Sequence, residues 1–141
     1  MLGGIKIVLD STFTIEGFNM KKLLLLLSLM FISLTVRAEF TYFGVNAKGD
    51  EYYIDKSSIK KQGLIITTWI GQRFINPIGN IYSTKSQNQY DCYNEQSKIL
   101  YVVTYSDKES KNIVSNGNPN DVWTPLLPGS IEHNLLKTIC R

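Results

Sequence analysis

One histidine, two cysteines and a short acidic run are the groups of this sequence with the strongest potential for chemistry. His133 could act as a general base only with a nucleophilic serine and an orienting carboxylate beside it. The glycine pattern of a hydrolase nucleophile elbow does not occur in the sequence. We therefore expect His133 to be a surface residue, and we predict no catalytic residue in the chain.

The acidic run contains Asp50, Glu51 and Asp55. Paired carboxylates can perform acid–base chemistry, but acids that flank a hairpin more commonly bond to nearby backbone N–H groups. No P-loop, dinucleotide fingerprint, zinc spacing or calcium loop is present in the sequence. The prediction is a chain without a metal site, without a cofactor and without enzymatic activity.

The two cysteines, Cys92 and Cys140, have two interpretations. A metal pair or a catalytic thiol would need a histidine or an acid at ligand spacing, and none lies near either cysteine. An exported chain, by contrast, meets oxidising conditions in which a disulfide persists. We predict a Cys92–Cys140 disulfide, whose loop closure removes about 4 kcal/mol of unfolded-state entropy.

Export is predicted by the N-terminal region. Residues 20–22 carry two lysines, an apolar run follows, and Val36 and Ala38 occupy the small-residue positions of a cleavage site. The uncharged run of about 14 residues is shorter than the roughly 20 that a bilayer span needs. We expect residues 20–38 to be a signal peptide cleaved after Ala38. Residues 1–19 are then expected to be a leader from a misassigned start, and no cysteine is placed to carry a lipid anchor.

The predicted cleavage changes the charge balance. Residues 1–38 hold four of the 15 basic and two of the 12 acidic residues, so the mature chain keeps 11 and 10, a net charge of +1. A basic footprint for nucleic acid is therefore not expected. The cluster of Lys56, Lys60 and Lys61 is more typical of a solvated turn than of a binding patch.

Residues 39–141 predict six antiparallel strands and one helix. Runs of β-branched and aromatic residues alternate with turn-forming glycine, asparagine, aspartate and proline. The predicted strands are Glu39–Val45, Glu51–Ile54, Leu64–Phe74, Ile81–Cys92, Lys98–Tyr105 and Lys111–Ser115. Turns are predicted at Asp55–Ile59 and Asn76–Asn80, and a loop is predicted at Trp123–Gly129.

A C-terminal helix is predicted from Ser130, which stands in the N-cap position, with Glu132 in the first turn and Lys137 in the last. Its apolar face has helical spacing and consists of Ile131, Leu135, Leu136, Ile139 and Cys140. The predicted fold is α+β: a six-stranded antiparallel sheet with one C-terminal helix that the disulfide ties to one face.

All eight tyrosines lie in the mature part: Tyr42, Tyr52, Tyr53, Tyr82, Tyr90, Tyr93, Tyr101 and Tyr105. Exposed tyrosines suit protein recognition, because they offer wide contact area at little entropic cost. The structural alternative is that they are simply distributed over both faces of a sheet covered on one side.

A set of residues with their order and spacing resembles the surface-adhesin protein E family of Gram-negative bacteria. The set is Tyr53-Ile54-Asp55, Ser57-Ser58-Ile59, Trp69, Ser86, Asp91-Cys92, Tyr105, Ser115, Trp123, Pro128-Gly129-Ser130 and Cys140. The resemblance implies a small exported domain with a six-stranded sheet and a disulfide-tied helix. It also implies adhesion to host matrix and serum proteins, and dimers.

The leading functional hypothesis is therefore an exported, non-enzymatic, adhesin-like binding module, periplasmic or at the cell surface, whose partner is a host matrix protein or another protein. The second is a periplasmic inhibitor or accessory protein that binds an enzyme or an envelope component. The third is capture of haem or another small ligand, in which tyrosine and His133 would ligate the iron. A homodimer is compatible with the first two hypotheses.

Overall fold

The computed structural model describes residues 38–119 and 121–141, together with the single positions Asn19, Lys21 and Leu24. In this part of the chain, seven strands form one antiparallel sheet and one helix follows them. The elements are β1 (Phe40–Val45), β2 (Glu51–Gln62), β3 (Ile65–Ile78), β4 (Ile81–Asp91), β5 (Gln96–Tyr105), β6 (Ile113–Gly117), β7 (Thr124–Pro125) and α1 (Ile131–Ile139). Strands β1 to β6 lie side by side in chain order, and β7 pairs with the start of β5.

Two-residue turns join the three longest strands. Gly63 begins the turn between β2 and β3, Gly79 begins the turn between β3 and β4, and their φ angles are 62° and 61°. Glycine adopts this left-handed conformation without the steric cost of a Cβ atom, and tight hairpin turns require it. Strands adjacent in sequence therefore become adjacent in the sheet.

The predicted turn at Asp55–Ile59 is wrong, because these residues form a bulge inside β2. The bulge interrupts the pairing of β2 with β3 just after the partners Asp55 and Trp69. Ser58 supplies a substitute partner, since its hydroxyl oxygen accepts a 2.9 Å hydrogen bond from the Trp69 N–H. The Asp55 carboxylate accepts a 3.0 Å bond from the Ser57 N–H, so the local bonding expected of Asp55 occurs without a reversal of the chain.

Other predicted boundaries also shift. β3 continues through Pro77 to Ile78, past the predicted break, although its pairing with β4 is irregular beyond Arg73. A proline is tolerated in such an irregular stretch, where its missing N–H breaks no ladder bond. The predicted loop at Trp123–Gly129 contains β7, so the sheet has one strand more than the six predicted.

The core lies between α1 and one face of the sheet. Ser130 caps the helix as predicted, since its hydroxyl accepts a 3.1 Å bond from the His133 N–H. The buried apolar side chains of the core are Tyr52, Ile54, Ile66, Ile70, Tyr90, Leu126, Leu135, Leu136 and Ile139. Removing this apolar surface from water is the main force that holds the helix on the sheet.

The Cys92–Cys140 disulfide joins the residue after β4 to the residue after α1, with their Cα atoms 5.8 Å apart. Cys140 stays on the helical path, because its N–H donates a 2.9 Å bond to the Leu136 carbonyl. Both half-cystines pack against the core. The predicted fold class is thus confirmed: an α+β domain in which a disulfide ties the C-terminal helix to an antiparallel sheet.

The predicted leader, residues 1–19, and signal peptide, residues 20–38, lie outside the described residues except for Ala38 and the three single positions. Both assignments, and cleavage after Ala38, stay predictions. No helix in the described part of the chain is long and apolar enough to cross a bilayer.

Candidate functional site

The sheet face opposite α1 carries a different set of side chains from the core. Side chains alternate between the two faces along a strand, so the residues between the core positions point away from the helix. We name this surface the open face, and its large side chains are Phe40, Tyr42, Tyr53, Trp69, Arg73, Lys85, Tyr101 and Tyr105. The rings meet edge to face, with centroids 5.7 Å apart for Tyr42 and Tyr53 and 6.3 Å apart for Trp69 and Tyr101.

Arg73 and Tyr53 form a bonded cluster on the open face. The guanidinium carbon of Arg73 lies 4.6 Å from the Tyr53 ring centroid, and Arg73 Nη1 donates a 2.8 Å bond to the Tyr53 hydroxyl. That hydroxyl donates a 2.8 Å bond to the Glu51 carboxylate. Desolvation, followed by the bond to Glu51, raises the pKa of Tyr53. These bonds restrain the three side chains, which reduces the conformational entropy that is lost when a partner binds.

Lys85 occupies a shallow depression beside this cluster. Its ammonium nitrogen lies 5.1 Å from the Phe40 ring centroid and 5.4 Å from that of Tyr105. Gly71 also lines the depression, and the Phe40 ring packs closely against it, since a Cβ atom at Gly71 would come within 3.2 Å of that ring. The depression has a volume of about 190 Å³, below the roughly 300–1,000 Å³ of small-molecule sites. It suits one inserted side chain of a larger partner.

The loop after β5 closes one side of the depression. The Ser83 hydroxyl donates a 2.6 Å bond to the Asp107 carbonyl and lies 2.8 Å from the Ser110 hydroxyl. Backbone N–H groups of Asn112 and Lys111 bond to the Asp107 carboxylate, and these bonds lower the pKa of Asp107. The loop is therefore fixed to the sheet from both of its ends.

His133 is buried, only 3% exposed, so its predicted surface location is wrong. It lies three residues before Leu136, which places it at the margin of the apolar stripe. Its Nε2 lies 3.0 Å from the Glu95 carboxylate, and the Gly129 N–H donates a 3.4 Å bond to its Nδ1. Both ring nitrogens have hydrogen-bond partners and the ring is buried, so His133 ties the β4–β5 turn to the helix.

The acidic run does not converge on one site. Asp50 is buried and accepts bonds from the Ile75 N–H at 3.0 Å and the Asn46 amide at 3.1 Å. Asp55 lies in the bulge of β2, and Glu51 lies beside Tyr53. Within residues 38–119 and 121–141, no group of three or more histidine, cysteine or acidic side chains could hold a metal ion.

Comparison with known families identifies the domain. Residues 40–141 match the family model described as Surface-adhesin protein E, which spans all seven strands and the helix. The chain belongs to the surface-adhesin protein E family. No curated protein matches the sequence.

Solved structures of Haemophilus influenzae protein E share the fold. The selenomethionine form is 17% identical, with a TM-score of 0.54, over 74% of this chain and 88% of that chain. A second structure gives the same identity and TM-score, over 74% and 86%. Crystal form II is 18% identical, with a TM-score of 0.51, over 77% and 95%. At these identities the likeness concerns the fold.

Several residues that carried the resemblance to the protein E family have clear roles in the structure. Asp55, Ser58 and the cysteine pair shape the bulge and the disulfide, whereas Tyr53 and Trp69 lie on the open face. The sequence predicted that the helix covers one face of the sheet and leaves the other open for tyrosine-rich contacts or a second copy of the protein, but it did not single out the two cations of that face, Arg73 and Lys85. The alternation of side chains along a strand indicates this face, because Tyr53 and Trp69 each stand one position before a buried isoleucine.

Proposed function

We propose that this member of the surface-adhesin protein E family is an exported, non-enzymatic binding module that contacts a partner protein through the open face. The main observation in support is that tyrosine, tryptophan and arginine are concentrated on a sheet face that α1 leaves uncovered. These three residue types dominate the energetic centres of protein interfaces. Family membership supports a host extracellular matrix or serum protein as the partner.

The contacts within the open face support this use. Hydrogen bonds already join Arg73, Tyr53 and Glu51, so these side chains are oriented before a partner binds. Half-exposed rings such as Trp69 present apolar area, while Lys85 and Arg73 present charge. A partner with an acidic side chain and apolar neighbours would satisfy both properties.

Alanine substitution tests the proposal. Wild-type protein and Tyr53→Ala are titrated against immobilised extracellular matrix and serum proteins. Truncation of a central interface tyrosine is expected to weaken binding by about tenfold or more. The matched control is Tyr93→Ala, which removes a tyrosine that is 79% exposed on the β4–β5 turn. Equal affinities of the two variants would refute a role for the open face.

Location separates adhesion from the second hypothesis, a periplasmic inhibitor or accessory protein. Intact cells are treated with a protease and the protein is then quantified by immunoblot, with a periplasmic marker as the control. An adhesin at the cell surface is lost, whereas a periplasmic accessory protein survives until the outer membrane is permeabilised. Survival would reject the adhesin role and favour the accessory role.

A further inference from the structure

A second surface lies on the helix side of the sheet, beside the first turn of α1. One groove of about 820 Å³ runs between the β1–β2 hairpin, the end of β3 and the start of the helix. Another, of about 630 Å³, runs between β5 and the segment before the helix. Leu127, Ser130 and Glu132 line both grooves, so the grooves meet at the helix N-terminus. Their combined volume is larger than the roughly 1,000 Å³ at the upper end of the range for small-molecule sites.

The joined grooves gather much of the exposed apolar surface of the domain. Leu127, at their junction, is 76% exposed. The other large apolar side chains that are exposed and line a groove are Val45, Ile75, Ile78, Ile99 and Val122. Neighbouring exposed apolar side chains on a monomer mark a surface for another molecule, because leaving them in water is unfavourable.

Glu132 is an acidic residue of this surface that forms no ion pair among the described residues. The other acid that lines the grooves, Asp50, has both carboxylate oxygens bonded. Burial is the cause that raises the pKa of the Glu132 carboxyl group. Tyr52 lines the same groove as Glu132, and burial, followed by the charge of Glu132, raises the pKa of Tyr52 to about 12.

The cations of the two grooves do not neutralise Glu132. Lys98 pairs with Asp121 at 2.7 Å, on the side of β5. Lys48 is exposed in the β1–β2 hairpin. A half-buried carboxylate without a counter-ion is stabilised when a cation reaches it, because the new bond offsets its desolvation.

We propose that the joined grooves bind an extended peptide segment of a partner protein in which a lysine or arginine stands between apolar side chains. The basic group bonds to Glu132, and the apolar neighbours pack on Leu127 and along each groove. An acidic segment would meet the Glu132 charge and is rejected. The site is separate from the open face, so it stands whether or not that face binds a partner.

Fluorescence anisotropy with two labelled peptides tests the proposal on the purified full chain. One peptide carries a central lysine between leucine and valine residues, and the other replaces the lysine with norleucine. The lysine peptide is expected to bind about tenfold more tightly, as a charge-assisted bond to a half-buried acid implies. Glu132→Gln removes this preference, and Leu127→Ser weakens the binding of both peptides.

Matched controls are Glu109→Gln and Leu64→Ser, which change an exposed acid and an exposed leucine outside both grooves. Neither control alters affinity under the proposal. Equal binding of the two peptides, a lysine preference that survives Glu132→Gln, or no binding of either peptide at millimolar concentration would each overturn it. Amide shifts in a ¹⁵N spectrum should fall on residues that line the two grooves, at their junction around Leu127 and Glu132 above all, and shifts confined to the open face would also contradict the proposal.

Discussion

The covered face and the open face of the sheet come from alternate residues of the same strands, and they differ in composition and exposure. On the covered face, Ile54, Ile66 and Ile70 are at most 4% exposed and pack under α1. On the open face, their sequence neighbours Tyr53 and Trp69 are half-buried and contact aromatic or cationic side chains. A step of one residue along a strand therefore moves from the core to a contact surface. Stability and recognition can be altered separately in this domain.

The largest effect on stability is expected from Leu135→Ala. Leu135 is 2% exposed on α1, so truncation leaves a cavity in the core. The free energy of unfolding, measured by urea denaturation, should fall by about 2–5 kcal/mol. Leu64→Ala, at a leucine that is 59% exposed, should change it by less than about 0.5 kcal/mol. Equal effects of the two variants would contradict the assignment of the core to the covered face.

Cys140→Ser should lower the free energy of unfolding by about 2–4 kcal/mol, because the unfolded chain regains the freedom that the bridge removes. The sheet signal in circular dichroism should persist, since the strands keep their ladders. The helix signal should weaken first on heating, because a helix of nine residues does not persist alone. Loss of the sheet and the helix in one transition at the wild-type temperature would show that the bridge does not hold the helix.

Glu132→Gln should have the smallest effect, and its sign depends on pH. The pKa of Glu132 is raised above the ordinary 4.5 by burial, so the folded protein prefers the protonated carboxyl. Stability from this group is complete below the unfolded pKa and is lost as the pH rises through the folded pKa. Glu132→Gln should therefore match wild type at pH 4 and be more stable at pH 7.

The control for this prediction is Glu109→Gln, which changes an acid that is exposed to solvent. In paired thermal melts, the difference in stability between Glu109→Gln and wild type should not change between pH 4 and pH 7. A Glu132→Gln variant less stable than wild type at pH 7 would indicate that the carboxylate has a favourable partner. That result would also weaken the account of the joined grooves.

The sequence predicted the fold well where local chemistry decides it. Alternating β-favouring residues, the Ser130 cap and the isolated cysteine pair each indicate one structure, and the structure agrees. The prediction failed where a residue far away in sequence determines the backbone conformation. Asp55 and Ser57 favour a turn locally, yet Trp69 pairs across the bulge and keeps the chain extended.

The contacts on the open face were the least predictable feature, because they join side chains from strands far apart in sequence. Lys85 can be assigned to this surface only once its contacts with the rings of Phe40 and Tyr105, which lie on other strands, are known. His133 shows the same limit, since its partner Glu95 lies in the β4–β5 turn, far from the helix in sequence. The sequence gives residue parity on each strand, but only the strand order shows which residues meet.

The separation of recognition from stability is tested most directly by measuring affinity and unfolding free energy on the same samples of Arg73→Ala and Leu135→Ala. The ligand is the matrix or serum protein that wild type binds, and both variants are assayed at a temperature where they are folded. Arg73→Ala should lose about tenfold in affinity and less than about 1 kcal/mol in stability, since its cation–π contact is partly exposed. Leu135→Ala should show the reverse pattern, with affinity retained and stability lost. Retained affinity in Arg73→Ala, or a parallel loss of both quantities in each variant, would contradict the account.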